Sequence, residues 1–183
     1  MQSVKIDRFL RLGIGVLAVA LVSVIYAAVH RRVELSPDGQ VQGFVVKEGD
    51  SAPDFSITAE NGRTVTLKNF GGKLLLLNFW ASWCQPCEQE TPSLSQLAQD
   101  YASKGVVVLG ISVDKDPAAY RRFLQKYSPA FLTVRDLKIH EDYGTFMYPE
   151  TYIIDASGRV KMKFAEAVDW SNPKLTQIID SLL

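Results

Sequence analysis

The apolar run Leu74 to Leu77 continues through Asn78-Phe79-Trp80-Ala81-Ser82-Trp83 and ends on Cys84-Gln85-Pro86-Cys87 at the head of a helical pattern. A short, uninterrupted apolar run followed by a helix-length segment marks a central strand of a parallel or mixed sheet, because both faces of such a strand must be covered. The strand therefore delivers two cysteines to a helix start. Unpaired N–H groups and the macrodipole there stabilise negative charge, which makes Cys84 the readily ionised thiol and the nucleophile. Cys87, three residues on, can reach the first sulfur and displace a substrate from a mixed disulfide. Zinc is the rival use of paired cysteines, but a structural site usually takes four ligands, and the chain offers only His30 and His140 besides. No metal and no dissociable cofactor is expected.

Compartment is decided at the N-terminus. Leu12 to Val29 runs 18 residues without a charge, a helix of about 27 Å against a hydrocarbon core of about 30 Å. The expected organisation is a cytoplasmic N-terminus at 1–11, a transmembrane anchor at 12–29, a tether at 30–49 and a folded domain at 50–183. Lys5, Arg8 and Arg11 before the span outnumber Arg31 and Arg32 after it, which orients the domain to the extracytoplasmic (periplasmic) side of the cytoplasmic membrane. A cleaved signal peptide is the alternative, but Ile25-Tyr26-Ala27-Ala28 puts a bulky residue where a small one is wanted. The tether carries Pro37, Gly39, Gly43 and Gly49, with a short strand expected at Gly43 to Lys47.

The hydrophobic content of 47 % in 183 residues allows one well-buried core plus this appendage. Residues 1–29 hold three basic and one acidic residue, so of the chain's 20 of each the remainder keeps 17 basic and 19 acidic. That balance leaves no nucleic-acid footprint. Gly72-Lys73 is followed by Leu74 and preceded at five positions by Leu67, which removes a phosphate-binding loop.

Phe55 to Thr58 and Thr64 to Leu67 flank Glu60-Asn61-Gly62-Arg63, and Asn-Gly between β-prone runs predicts a hairpin. From Cys84 a helix carries Leu94, Leu97 and Tyr101 inward to about Lys104-Gly105, with Pro92 inside it. Val106 to Val113 is a second buried strand, and Asp116-Pro117 opens a helix to Tyr127. Leu132 to Arg135 reads as a strand and Ile139 to Tyr143 as a brief helix. Thr151 to Asp155 turns through Ala156-Ser157-Gly158 into Val160 to Phe164, and Asn172-Pro173 opens the last helix. The sum is an α/β domain with a mixed sheet flanked by helices and an extra N-terminal β-hairpin.

Asn78 to Cys87, with Glu90 and Pro92 behind them, resembles the thioredoxin superfamily, in particular its membrane-anchored TlpA/ResA and CcmG/DsbE branch of thiol-disulfide oxidoreductases. Ala52-Pro53-Asp54-Phe55, Gly71-Gly72-Lys73 and Tyr148-Pro149-Glu150-Thr151-Tyr152-Ile153-Ile154-Asp155 extend the likeness from about Gly49 to the C-terminus. It implies a thioredoxin-like fold with Pro149 in cis and facing the cysteines, whereas X–Pro bonds in general are cis in about 5–6 % of cases. It also implies Tyr148, Pro149 and Glu150 as a substrate-binding face, with Trp83 beside Cys84. Glu90 is three residues after Cys87 on the same helix face, and a solvated surface glutamate is its plain reading. The branch often holds a partly buried glutamate there. Desolvation of Glu90 or Glu150 would raise its pKa and suit it to proton exchange with a thiol. Asn78 stands where thioredoxin has an aspartate, so a glutamate becomes the substitute acid. Trp80 and Trp83 are expected to pack rather than to take part in the chemistry, with Trp83 shielding Cys84, and His140 is expected to be structural.

The resemblance implies thiol-disulfide exchange in which Cys84 attacks a partner disulfide and Cys87 resolves the mixed disulfide. The partner is then a disulfide-containing protein, with apocytochrome c as the branch's example and a membrane thiol-electron transporter as donor. Family precedent favours reduction, although the local chemistry serves both directions. Two other functions use the same features: a noncatalytic membrane-tethered module binding peptides in the Pro149 groove, and a peroxide-reducing thiol enzyme, whose cysteine ordinarily sits in another motif.

Overall fold

A computed structural model describes residues 45–183. The expected anchor at 12–29 and most of the expected tether lie outside the described residues. In chain order the elements are β1 (Ser56–Thr58), β2 (Thr64–Thr66), β3 (Leu74–Trp80), α1 (Gln85–Tyr101), β4 (Val106–Ser112), α2 (Pro117–Tyr127), β5 (Leu132–Arg135), α3 (Ile139–Asp142), β6 (Glu150–Ile154), β7 (Val160–Phe164) and α4 (Pro173–Ser181). Among the described residues no helix is long and apolar enough to cross a membrane.

β3 is buried at all seven positions and lies in the middle of a five-stranded sheet of order β5-β4-β3-β6-β7. It runs parallel to β4, from Leu74 opposite Val106 to Trp80 opposite Ser112, and antiparallel to β6, with Phe79 opposite Glu150. The crossovers through α1 and α2 step in the same direction across the sheet, so right-handed connections put both helices on one face. Side-chain alternation along β3 serves both sides. Leu75, Leu77 and Phe79 cluster with Phe55, Ile57 and Val65 of the hairpin region and with Ile139 and Tyr143. Leu74 and Leu76 cluster with Leu94 and Leu97 of α1, Trp170 and Ile179. Trp80 joins Tyr120 and Phe123 of α2 around the cysteines. Each fully buried leucine contributes roughly 1.5–3 kcal/mol relative to exposure.

Local signals act where they were expected. β1 and β2 pair antiparallel around Gly62, whose φ of 78° is the left-handed conformation that glycine adopts without strain. Asp116 and Asn172 cap α2 and α4 through side-chain oxygens that accept the Ala118 and Lys174 N–H groups at 2.8 and 3.0 Å. α1 runs unbroken through Pro92, which lies on its exposed face. Two expectations change. Leu67 does not extend β2 but begins a 3-10 turn, because the Asn69 side chain takes the Thr66 N–H at 2.8 Å. Residues 45–47 form no strand, yet Val46 is buried and its N–H reaches Tyr143 O at 3.3 Å, so the folded unit takes in the end of the stretch expected as tether.

Gly110, in β4, lies beneath Trp80. A Cβ there would fall 2.9 Å from Trp80 Nε1, 3.1 Å from Phe131 and 3.2 Å from Thr133, and Trp80 is itself stacked on Phe123 at 4.2 Å between ring centroids. Gly110→Ala is expected to lower unfolding free energy by about 1–3 kcal/mol, read as a lower urea midpoint at unchanged m-value.

Candidate active site

Cys84 and Cys87 form a disulfide, with Cα atoms 5.3 Å apart. Cys84 caps α1: its backbone is extended, and its Sγ accepts the Cys87 N–H at 3.2 Å. On reduction the same N–H group and the helix dipole meet the Cys84 thiolate, which favours ionisation of that sulfur. Exposure falls from 5 % at Cys84 to 2 % at Cys87, so the capping residue is the outer of the two.

The turn that carries Cys84 out of β3 is pinned by a residue that the sequence motifs do not include. Asp114 is 1 % exposed and its carboxylate accepts the Ser82 N–H at 3.0 and 3.1 Å, the Ser82 hydroxyl at 2.7 Å and the Ser112 hydroxyl at 2.7 Å. Its one signal in the sequence is a charged residue directly after an apolar strand.

The Tyr148–Pro149 peptide bond is cis, and Tyr148 packs against the cluster that holds both cysteines. Trp83 is not packed into the core as expected but stands 68 % exposed in the turn from β3, resting edge-on against Tyr148 with ring centroids 5.8 Å apart. Phe146 and Met147 are each 69 % exposed on the same loop. The cysteine pair thus lies beside a largely apolar, open face. His140 stands behind it: Nδ1 is 3.2 Å from the Tyr148 hydroxyl and 2.9 Å from Thr145 O.

Glu90 is buried at 3 % exposure, under α1 rather than on its surface. Trp170 Nε1 donates to Oε1 at 2.7 Å and Asn78 Nδ2 to Oε2 at 3.4 Å. Burial pushes the carboxyl up to about 7, against the opposing effect of hydrogen bonds from Trp170, the Val168 N–H and Asn78. Asn78 also donates to Thr151 Oγ1 at 2.9 Å, linking Glu90 to β6. Glu150 is buried as well, but its carboxylate faces inward. Lys163 Nζ lies 2.8 Å from Oε1, and the hydroxyls of Thr145 and Tyr152 donate to Oε2. The ion pair and hydroxyls tie the 145–150 loop to β6 and β7.

Folding lifts Glu90 from the ordinary 4.5 to about 7, so the folded protein binds this proton more tightly than the unfolded chain. The resulting stability is complete below pH 4.5 and is lost as pH rises through 7. At about 1.4 kcal/mol per pH unit the whole effect is about 3 kcal/mol. Urea unfolding of the oxidised protein from pH 4.5 to 8 is expected to show wild type losing up to about 3 kcal/mol relative to Glu90→Gln. Parallel curves would contradict a buried, neutral carboxyl.

Residues 48–163 match the model of the AhpC/TSA family. Thioredoxin-like protein YneN of Bacillus subtilis strain 168 is 40 % identical over 119 residues, covering 63 % of this chain and 70 % of that protein. Thiol-disulfide oxidoreductase ResA of Bacillus thuringiensis subsp. konkukian is 36 % identical over 126 residues, covering 65 % and 73 %. Among solved structures, a Chlorobium tepidum protein provisionally assigned as the thiol:disulfide interchange protein DsbE superposes with a TM-score of 0.70 at 29 % identity, covering 75 % of this chain and 98 % of that one. A thiol-disulfide oxidoreductase from Bacteroides fragilis does so with a TM-score of 0.63 at 29 % identity, covering 73 % and 100 %. The chain belongs to the AhpC/TSA family and is a thioredoxin-like thiol-disulfide oxidoreductase of the ResA and DsbE type.

Proposed function

We propose that this oxidoreductase reduces disulfides of partner proteins outside the cytoplasmic membrane, with apocytochrome c as the class of partner and a membrane thiol transporter as the source of electrons. The observation that carries the direction of attack is Cys84 at the cap of α1, its sulfur facing the Cys87 N–H, beside the open face of Trp83, Tyr148 and cis-Pro149. The uncharged run Leu12 to Val29 supports the membrane location.

In the reduced enzyme the Cys84 thiolate attacks one sulfur of the substrate disulfide, forming a mixed disulfide and releasing the other sulfur as a thiolate that takes up a proton. Cys87 then gives up its proton and attacks Cys84 Sγ. The second substrate thiolate leaves, and the Cys84–Cys87 disulfide forms. Two electrons pass to the substrate; because Cys84 reacts as the thiolate, one of the two protons taken up by the substrate thiols derives from Cys87 and the other from solvent. Glu90, one helical turn beyond Cys87 and held near neutral pH, is the group assigned to take the Cys87 proton. Tyr148, Pro149 and Trp83 are assigned to hold the substrate segment. Glu150 serves that face by bracing the loop that presents it.

In Cys87→Ser, Cys84 is expected to alkylate about tenfold faster than Cys87 does in Cys84→Ser. Equal rates would show the assignment of roles to be wrong. Cys87→Ser should also trap extracytoplasmic partners as mixed disulfides, and haem-attachment cysteines among them identify apocytochrome c. Insulin reduction driven by a chemical reductant must depend on Cys84, whereas a pure binding module would add no turnover. Glu90→Gln should lower the pH midpoint of Cys84 alkylation and slow disulfide reduction roughly tenfold or more. Protease added to intact spheroplasts should digest the folded domain, and its complete protection would remove the proposed location.

A further inference from the structure

Trp170 is fully buried, just ahead of α4 and 80 positions from Glu90. It reaches α1 at two points. Its indole N–H donates to Glu90 Oε1 at 2.7 Å. Its backbone N–H donates to Ser93 Oγ at 3.2 Å, and that hydroxyl donates to Glu90 O at 3.0 Å. The ring lies edge-on to Phe164, centroids 5.4 Å apart, in the cluster with Leu94, Leu97 and Ile179. One residue therefore grips the helix turn that carries the carboxyl and one of its two oxygens.

An indole nitrogen can donate a hydrogen bond and cannot accept one. It is therefore a donor to Glu90 Oε1 whether the carboxyl is protonated or ionised, and the bond is the stronger to the ionised form. We propose that Trp170 is the positioning residue of the Glu90 carboxyl: it holds Oε1 and the helix turn that carries it, and it favours the ionised form, while Oε2 is turned to Asn78 on the central strand. This deepens the role given to Glu90 above and rests on it for its connection to catalysis. The groups facing Glu90 are Trp170 and the Val168 N–H from the segment before α4, and Asn78 from β3. None of these is charged. On its own helix Cys87 precedes it by one turn and is in the disulfide, so in the oxidised protein a titration reported by Trp170 is that of Glu90.

The test uses the oxidised full-length chain with 15N-labelled tryptophan. The chain has three tryptophans, and the Trp170 indole N–H resonance is the one absent in Trp170→Phe. That resonance is expected to shift with a single midpoint near pH 7 in wild type and to stay flat in Glu90→Gln. In Trp170→Phe, which keeps a ring in the pocket, the Glu90 carboxyl carbon should titrate about tenfold weaker as an acid, a rise of about one pH unit, because a charge-assisted donor to the carboxylate is gone. The pH–rate profile of disulfide reduction should move by the same amount. A wild-type indole resonance that stays flat while the Glu90 carbon titrates would overturn the assignment without any variant, as would an unchanged Glu90 midpoint in folded Trp170→Phe. If the indole resonance titrates as expected but Glu90→Gln reduces disulfides at the wild-type rate, the positioning stands and the catalytic role of Glu90 falls.

Discussion

Two-sided burial of β3 is the constraint from which the rest follows. A strand with all seven residues buried needs cover on both faces and hydrogen-bonded neighbours on both edges. β4 and β6 supply the edges; α1 and the hairpin with α3 supply the faces. Because α1 must lie back across the strand that precedes it, its N-terminus is forced to the end of β3, within a four-residue turn. The thiols occupy that place. The site is therefore a consequence of the central packing, and Trp80 and Gly110, which lock β3 to β4, belong to the same mechanical unit as Cys84.

Among the described residues, Asp114, Glu90 and Glu150 are buried carboxylates, and each is accommodated differently. Asp114 is surrounded by the N–H and hydroxyl of Ser82 and the hydroxyl of Ser112, and it serves as a rivet for the turn into Cys84. Glu150 is matched by the ammonium of Lys163, with two hydroxyls completing its shell, and it braces the cis-proline loop. Among the described residues Glu90 has no counter-ion. Its partners are neutral donors, so desolvation prevails and the carboxyl changes charge near neutral pH. Removing one partner of a buried charge leaves the other uncompensated, so the partners of the first two carboxylates are part of the folded structure, whereas the third has no counter-ion to lose.

The proposed substrate face combines rigid and open parts. Tyr148 and Pro149 are fixed from behind by the Glu150 network and by His140, while Trp83, Phe146 and Met147 stand out into solvent. Exposed aromatic and thioether side chains next to a redox pair suit recognition of an extended segment by shape and apolar contact rather than by charge.

Short-range physics makes much of this protein legible from its residues alone. The apolar run of β3, the Asn61-Gly62 turn, the Asp116-Pro117 and Asn172-Pro173 helix starts and the placement of Cys84-Gln85-Pro86-Cys87 depend on residues within a few positions of one another. The proximity of Cys87 and Glu90 along one helix face is legible for the same reason. What the tertiary structure alone decides is how each of those residues is surrounded. Ser82 and Asp114 are 32 positions apart, Asn78 and Thr151 are 73, and Glu90 and Trp170 are 80. Periodicity places a glutamate on a face, but whether that face meets water or an indole depends on where a remote segment packs. The thiol pair is therefore written in the local sequence, while the raised pKa of Glu90 arises from burial by residues far along the chain.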